Sequence, residues 1–277
     1  MNVLSLFDGM SCGQIALERA GIKVNKYFAS EIDKYSVQVT QQNYPNTIQL
    51  GDINNIKYSG NHKIDLLIGG SPCQSFSVAG DGSGFDGKSK LFWEFIRVLK
   101  EVNPTYFLLE NVKMKKEWED VITKAIGVKP IEINSELVSA QRRKRLYWTN
   151  ILNINQPIDK KIVLSDILQE SYNKKFDLSE KAIDYMSRLR NGKPRWEYHK
   201  NPLNGKAACL TANMFKGVPY GVIKEKMRRL TPNECETLQT VPLNYTDCVS
   251  DTQRFKMLGN GWTVDIIAHI FKNIPQS

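Results

Sequence analysis

Cys73 stands on the turn Gly69-Gly70-Ser71-Pro72-Cys73-Gln74, directly after the apolar run Ile64-Asp65-Leu66-Leu67-Ile68. Such a run reads as a buried strand, and the carboxyl end of a strand is where α/β proteins hold reacting groups. A thiol there can serve as a nucleophile. Glu110 follows a second apolar run, 106–109, so a carboxyl group sits at another strand end. Gln141, Arg143 and Arg145 alternate within Gln141-Arg142-Arg143-Lys144-Arg145. In an extended segment alternate residues share a face, so the three can point one way. Gly80, Gly82, Gly84 and Gly87 follow the thiol and predict a loop, 74–90, able to close over it.

A second group of residues points to a bound nucleoside. Phe7-Asp8-Gly9-Met10-Ser11-Cys12-Gly13 lies at a strand-to-helix junction, where glycine permits a tight turn and close approach to a ligand. Glu31 follows the second strand, 18 residues beyond Gly13, where an acid can accept both hydroxyls of a ribose. Asp52, in Gly51-Asp52-Ile53, follows the third strand and can accept from an adenine amino group. Each of these carboxylates, taken singly, also reads as an ordinary loop residue. The first loop lacks a full G-x-G-x-x-G and lacks the lysine of a phosphate-binding loop, which speaks against a pyrophosphate. S-adenosylmethionine fits better than a dinucleotide.

These groups need strands to hold them. Apolar runs at 3–7, 24–30, 64–68 and 106–110 alternate with helical stretches at 12–20, 33–43, 90–102 and 117–126; 131–138 and 145–152 read as further strands. The alternation predicts an α/β protein with a doubly wound, mostly parallel sheet. The rhythm breaks near Asn153. Residues 153–225 read as a small basic lobe with one helix near 179–190, and 1–152 together with 226–277 read as the catalytic domain. Thr231-Pro232-Asn233-Glu234 is a capping box with proline at the first helical position, and a last helix is expected at 264–273.

The formal charge is +9, and residues 157–229 carry 16 Lys+Arg against 8 Asp+Glu, so nearly all the excess lies in one segment. Such concentration favours a polyanionic partner, nucleic acid first. The five cysteines show no C-x-x-C spacing, which disfavours a zinc site or a disulfide framework and points to a reducing compartment. No apolar run reaches membrane-spanning length, and the N-terminus reads as a strand, not a signal peptide. The chain is expected to be cytoplasmic, bacterial or phage-encoded (nuclear if eukaryotic), and monomeric.

The motifs, in their order, resemble those of the DNA (cytosine-5) methyltransferases over almost the whole chain. Pro72-Cys73-Gln74, Glu110-Asn111-Val112, Gln141-x-Arg143-x-Arg145, the Arg-x-Leu-Thr-Pro-x-Glu pattern beginning at Arg228, and Gly259-Asn260 carry the resemblance. It implies a Rossmann-like, S-adenosylmethionine-dependent methyltransferase fold with a target-recognition lobe. C5 of cytosine is too poor a nucleophile to attack a methyl sulfonium, so the family adds a thiolate at C6 of a flipped-out base. Cys73 matches that nucleophile. Glu110 matches the group that hydrogen-bonds N3 and the exocyclic amine. Arg143 and Arg145 match residues holding the base carbonyl, a phosphate or the catalytic loop. Phe7, Gly9, Ser11, Glu31, Ile32, Asp52, Ile53, Pro72, Leu91 and Asn260 match cofactor contacts, with S-adenosylhomocysteine as the product. Gln74, Ser75 and Gln141 are expected at double-stranded DNA, with Lys193, Arg195, Lys200 and Lys206 at phosphates.

The chain departs from the family where Trp262 and Thr263 follow the Gly-Asn pattern, as in animal de novo enzymes, and where Cys209-Leu210 stands for a usual Thr-Leu. Its lobe is also short. A tRNA cytosine methyltransferase of the same fold and a silent DNA-binding regulator are the alternatives. Gln74-Ser75 favours DNA, and retention of Cys73, Glu110, Glu31 and Asp52 favours an enzyme. Restriction–modification, phage self-protection and epigenetic marking all stay open.

Overall fold

The computed structural model describes residues 1–58, 60, 62–72 and 91–275. Among the described residues a seven-stranded sheet is built from β1 (Asn2–Leu6), β2 (Lys26–Ser30), β3 (Ile48–Gln49), β4 (Leu66–Gly70), β5 (Tyr106–Val112), β6 (Ile131–Asn134) and β7 (Lys144–Thr149). Their order is β3-β2-β1-β4-β5-β7-β6. The pairs joining β1, β2, β3, β4 and β5 are parallel, and β7 runs antiparallel to β5. The chain winds outward from β1 through β2 and β3, then returns to β4 beside β1. The carboxyl ends of β1 and β4 therefore flank a topological switch point, the usual binding crevice of an open α/β sheet.

Parallel strands bury both faces, and the residues follow that rule. Leu4, Leu6, Leu67, Phe107, Leu109, Leu146 and Trp148 join Phe92, Phe95 and Val98 of α3 (Leu91–Val102) in one core. Val3, Leu66, Ile68 and Leu108, the alternate residues, are buried too. Glycine at 69 has a packing cause. A Cβ there would lie 3.0 Å from the Leu6 carbonyl oxygen and 3.1 Å from the Phe95 ring. Helices α1 (Cys12–Arg19), α2 (Lys34–Asn43) and α4 (Lys116–Ile126) complete the alternation.

The chain forms two compact units: Met1–Ile133 with Lys144–Gln156 and Ile267–Ser277, and Asn134–Arg143 with Pro157–Ile266. This division leaves the sheet unit near the boundary read from composition, after Gln156, but groups 226–266 with the basic segment. The second unit contains α5 (Glu180–Ser187), the hairpin of β8 (Leu189–Arg190) and β9 (Lys193–Pro194), the pair β10 (Val222–Ile223) and β11 (Arg228–Arg229), α6 (Pro232–Leu238) and α7 (Asp251–Asn260). Helix α8 (Val264–Phe271) follows. The helix expected to reach residue 190 stops at Ser187, because Arg188 is extended (φ −63°, ψ 141°) and Asn191-Gly192 turns the chain back on itself. Beyond Asn134 the expected strand gives way to a 3₁₀ turn, Ser135–Leu137, capped by Asn134. Among the described residues no helix is long and apolar enough to cross a membrane.

Candidate active site

The parallel register of β4 and β5 sets Gly70 beside Glu110. Glu110 is 8 % exposed, and the alternation along β5 turns it to the sheet face opposite α3. Arg145, on β7, shares that face and places Nε 2.9 Å from Glu110 Oε1. The next residue of β5 points the other way. Asn111 donates through Nδ2 to Ser71 Oγ at 3.0 Å and Ser71 O at 3.3 Å, and its own Oδ1 accepts from Val112 N–H. Asn111 thus ties the end of β4 to β5 just ahead of Pro72. Cys73, Gln74, Ser75 and the glycine-bearing loop lie outside the described residues.

The loop after β1 is held in a left-handed shape at three alternating positions: Phe7 (φ 57°), Gly9 (φ 59°) and Ser11 (φ 59°). Two carboxylates fix it. Glu31 Oε2 accepts from Gly9 N–H at 2.7 Å, while Oε1 accepts from the N–H groups of Ile32 and Asp33, both at 2.8 Å. Asp8 accepts from Tyr27 OH at 2.8 Å and from the Ser11 hydroxyl. Burial pushes the Asp8 carboxyl up to about 6, against the opposing pull of the hydroxyls it accepts from. Ser11 is fully buried, and its hydroxyl also accepts from Thr40 and Gln14 at 3.2 Å. Its side chain therefore shapes the loop from within.

Asp52 caps the 3₁₀ turn Ile53–Asn55, its Oδ1 accepting from Asn54 N–H at 2.9 Å and Asn54 Nδ2 at 2.7 Å. Arg97 of α3 donates to the carbonyls of Ile53 and Ile56, each at 3.0 Å, and so fixes that turn. Ile53 is buried, whereas Ile32 is 76 % exposed at the end of β2. Leu91 opens α3 half-buried, and Pro72 is half-buried. These residues all belong to the sheet unit. Asn260 ends α7 in the other unit and is exposed.

In the second unit Gln141 and Arg143 form the centre of a buried polar network. Gln141 donates to Leu238 O at 2.6 Å and to Gln239 Oε1 at 2.8 Å, and accepts from Leu210 N–H at 3.3 Å. Arg143, 3 % exposed, donates to the carbonyls of Leu210 (2.9 Å), Gly259 (3.2 Å) and Gly261 (2.7 Å). It also meets Cys209 Sγ at 3.3 Å. The Arg143 guanidinium was expected at the base carbonyl, a phosphate or the catalytic loop; among the described residues its partners are these carbonyls and the Cys209 sulfur. Gly259 lies so close to this segment that a Cβ there would meet Thr211 C at 2.1 Å and Ala212 N at 2.4 Å. The shared direction expected for Gln141, Arg143 and Arg145 is not what the chain adopts: the first two serve this network and Arg145 serves Glu110. Lys206 likewise spends its ammonium on the carbonyls of Glu136, Ser139 and Ile162, which leaves no N–H for a phosphate.

The Arg-x-Leu-Thr-Pro-x-Glu pattern folds into one buried unit. Arg228 makes a two-pronged pair with Glu234 at 2.7 and 2.9 Å, with side chains 2 % and 0 % exposed. The Tyr172 ring covers the Arg228 guanidinium at 4.2 Å. Glu234 also accepts from Thr231 N–H and Gln169 N–H, closing the capping box of α6. Lys193 is exposed on β9, and Arg195 packs over the Tyr185 ring at 4.5 Å.

Comparison with known proteins bears on this arrangement. The chain is 31% identical to the type II methyltransferase M1.ScrFI of Lactococcus lactis subsp. cremoris, over 96% of this chain and 75% of that protein. It is 30% identical to the type II methyltransferase M.NlaX of Neisseria lactamica, over 97% and 94%. Among solved structures, the Entamoeba histolytica methyltransferase EhMeth superposes with a TM-score of 0.77 at 17% identity, covering 99% of this chain and 97% of that one. That likeness shares the fold. The model of the family described as C-5 cytosine-specific DNA methylase matches residues 1–199 and 159–276. Spanning nearly every residue, that match makes the chain a member of the C-5 cytosine-specific DNA methylases, a DNA (cytosine-5) methyltransferase.

Proposed function

We propose that this enzyme methylates a cytosine flipped out of duplex DNA, with Cys73 as nucleophile and Glu110 as its polarising acid. The observation that carries the reading is the register pairing Gly70 with Glu110, with Arg145 on the same face. It brings the strand that leads to Cys73 alongside the carboxyl group the chemistry requires.

The residues flanking the loop after β1 suit S-adenosylmethionine. Glu31 holds three amide N–H groups, yet a carboxylate has about four lone-pair sites, so one remains for a ribose hydroxyl. Asp52 Oδ2 accepts no hydrogen bond among the described residues, which suits an adenine amino group. The exposed Ile32 offers apolar surface for a purine face. Within the sheet unit, Phe7, Gly9, Ile53, Pro72 and Leu91 would complete the pocket, and Ser11 would act by shaping the loop. When bound, S-adenosylmethionine supplies the methyl group as a sulfonium electrophile.

The chain's own residues do the rest. The Cys73 thiolate forms a bond to C6, and the C5=C6 electron pair moves toward N3 and the carbonyl. Glu110, carrying a proton at that step, hydrogen-bonds N3 and accepts from the exocyclic amine. Arg145 orients the Glu110 carboxyl through its 2.9 Å contact. C5 thereby becomes nucleophilic. After C5 is methylated, its proton leaves to a base, the C5=C6 bond re-forms and the bond from Cys73 to C6 breaks. The basic unit binds the duplex backbone. The relatives' standing as type II methyltransferases supports a protective role beside a restriction endonuclease.

Trapping on a duplex containing 5-fluorocytosine tests the mechanism. Fluorine cannot leave as a cation, so a covalent adduct should accumulate in the presence of S-adenosylmethionine and vanish in Cys73→Ser. No adduct, or one that survives the substitution, overturns it.

A further inference from the structure

We propose that the β8–β9 hairpin reads base edges of the target site, with Arg190 and Asn191 at bases and Lys193 at a phosphate. The inference rests on the DNA-methylating function and deepens it. The two strands pair as Leu189 with Pro194 and Arg190 with Lys193. Between them Asn191 and Gly192 both adopt positive φ, 48° and 75°. That is the two-residue turn whose twist matches the flanking strands, so the tip has a defined shape.

The hairpin is braced from below. Arg195 donates through its backbone N–H to Arg188 O at 3.3 Å, and through Nη1 to Arg188 O at 3.2 Å and Tyr185 O at 3.4 Å. Its guanidinium lies on the Tyr185 ring. Tyr198 OH donates to Arg190 O at 2.8 Å. Trp196, 8 % exposed, packs with Met186 and Val222 and donates from Nε1 to Ser187 Oγ at 3.3 Å. Arg195, expected at a phosphate, makes its bonds to Tyr185 and Arg188 through Nη1 and its backbone N–H.

What the brace holds up is exposed positive charge, with the Arg190 guanidinium 5.9 Å from the Tyr198 ring centroid. Residues 189–193 are all exposed. Among the described residues neither Arg190 nor Lys193 has a carboxylate within 4.0 Å. The nearby acids are already taken, Asp184 by Arg188 at 2.5 Å and Glu197 by Lys200 at 2.8 Å. Two cations without acids, on an ordered ribbon, are placed to meet a polyanion. A two-stranded ribbon fits the major groove, which is about 12 Å wide. Arginine and asparagine are the side chains that grip guanine and adenine edges with two hydrogen bonds, whereas lysine meets phosphate as a point charge.

The test uses the full chain with S-adenosylmethionine on duplexes randomised around a cytosine, read by bisulfite sequencing. Arg190→Ala should still form 5-methylcytosine but lose preference at one base pair by on the order of 10-fold or more. Arg190→Gln, which keeps much of the stem and removes the charge, should relax the same position. Lys193→Ala should weaken binding alike at all sequences and reduce the salt slope of log Kd by about 1. Unchanged site preference in both Arg190 variants overturns the hairpin's role and leaves the methylation reading standing. A wild-type chain that forms neither 5-methylcytosine nor a trapped adduct overturns both.

Discussion

The contact between Arg145 and Glu110 joins two side chains that are about one-tenth exposed, so their geometry is held by packing as well as charge. Glu110→Gln keeps the shape and removes the exchangeable proton. Single-turnover methyl transfer should fall on the order of 10²- to 10⁴-fold, with DNA affinity little changed. Asp8 gives a prediction in pH. Its folded value of about 6 stands above the ordinary 3.8, so between those values the folded chain holds a proton that the unfolded chain has released. Asp8 therefore contributes most below pH 4, and that contribution is lost as pH rises through about 6. Denaturant midpoints of wild type should fall relative to Asp8→Asn between pH 4 and 7; parallel profiles would refute this. The strands that precede Glu31 and Asp52, and the one that carries Glu110, were legible because they show as apolar runs, although β5 continues past Glu110 to Val112. The Asn111–Ser71 tie was not, because it depends on the β4–β5 register, which a linear pattern does not state. Arg143 was legible as one of a set but not in its partners, since alternation gives a face only while the strand lasts. Here β7 begins at Lys144.

At the scale of elements, α6 shows what a motif can encode in full. Thr231, Pro232 and Glu234 announce the cap from sequence alone, and the structure adds that Glu234 also neutralises the buried Arg228. Arg228→Ala leaves that carboxylate buried without its cation and should cost about 3–5 kcal/mol in urea unfolding. Gly259→Ala sets a Cβ against the Thr211–Ala212 peptide and should cost about 1–3 kcal/mol or more, read as a lower Tm. The hairpin was hidden because the apolar spacing of α5 continues through Leu189, and only the turn chemistry of Asn191-Gly192 separates helix from ribbon. Helix α7 escaped notice for another reason. Its N-cap, Ser250, makes no side-chain hydrogen bond, and its last turn is Leu258-Gly259-Asn260, poor in helix formers.

Across the whole molecule, the doubly wound, mostly parallel sheet followed from alternating runs, and residues 153–225 stood out by charge. The compact unit that holds 157–225 also takes in 226–266, which are not basic and whose contacts composition cannot register. Duplex binding should weaken steeply with salt, about 0.9 in log Kd per log salt for each phosphate met, measurable by anisotropy titration. One last feature bears on how such a molecule changes over generations. Apart from the Cys209 sulfur, Gln141 and Arg143 hold the segment around residue 210 by its peptide N–H and C=O alone. The backbone of Ala207 is paired in the same way with Ala140 and Arg142. Main-chain carbonyls belong to every residue and N–H groups to all but proline. These contacts are therefore blind to the side chains at 207 and 210, so on the proposed DNA-reading role a lineage can change the word it recognises without rebuilding them.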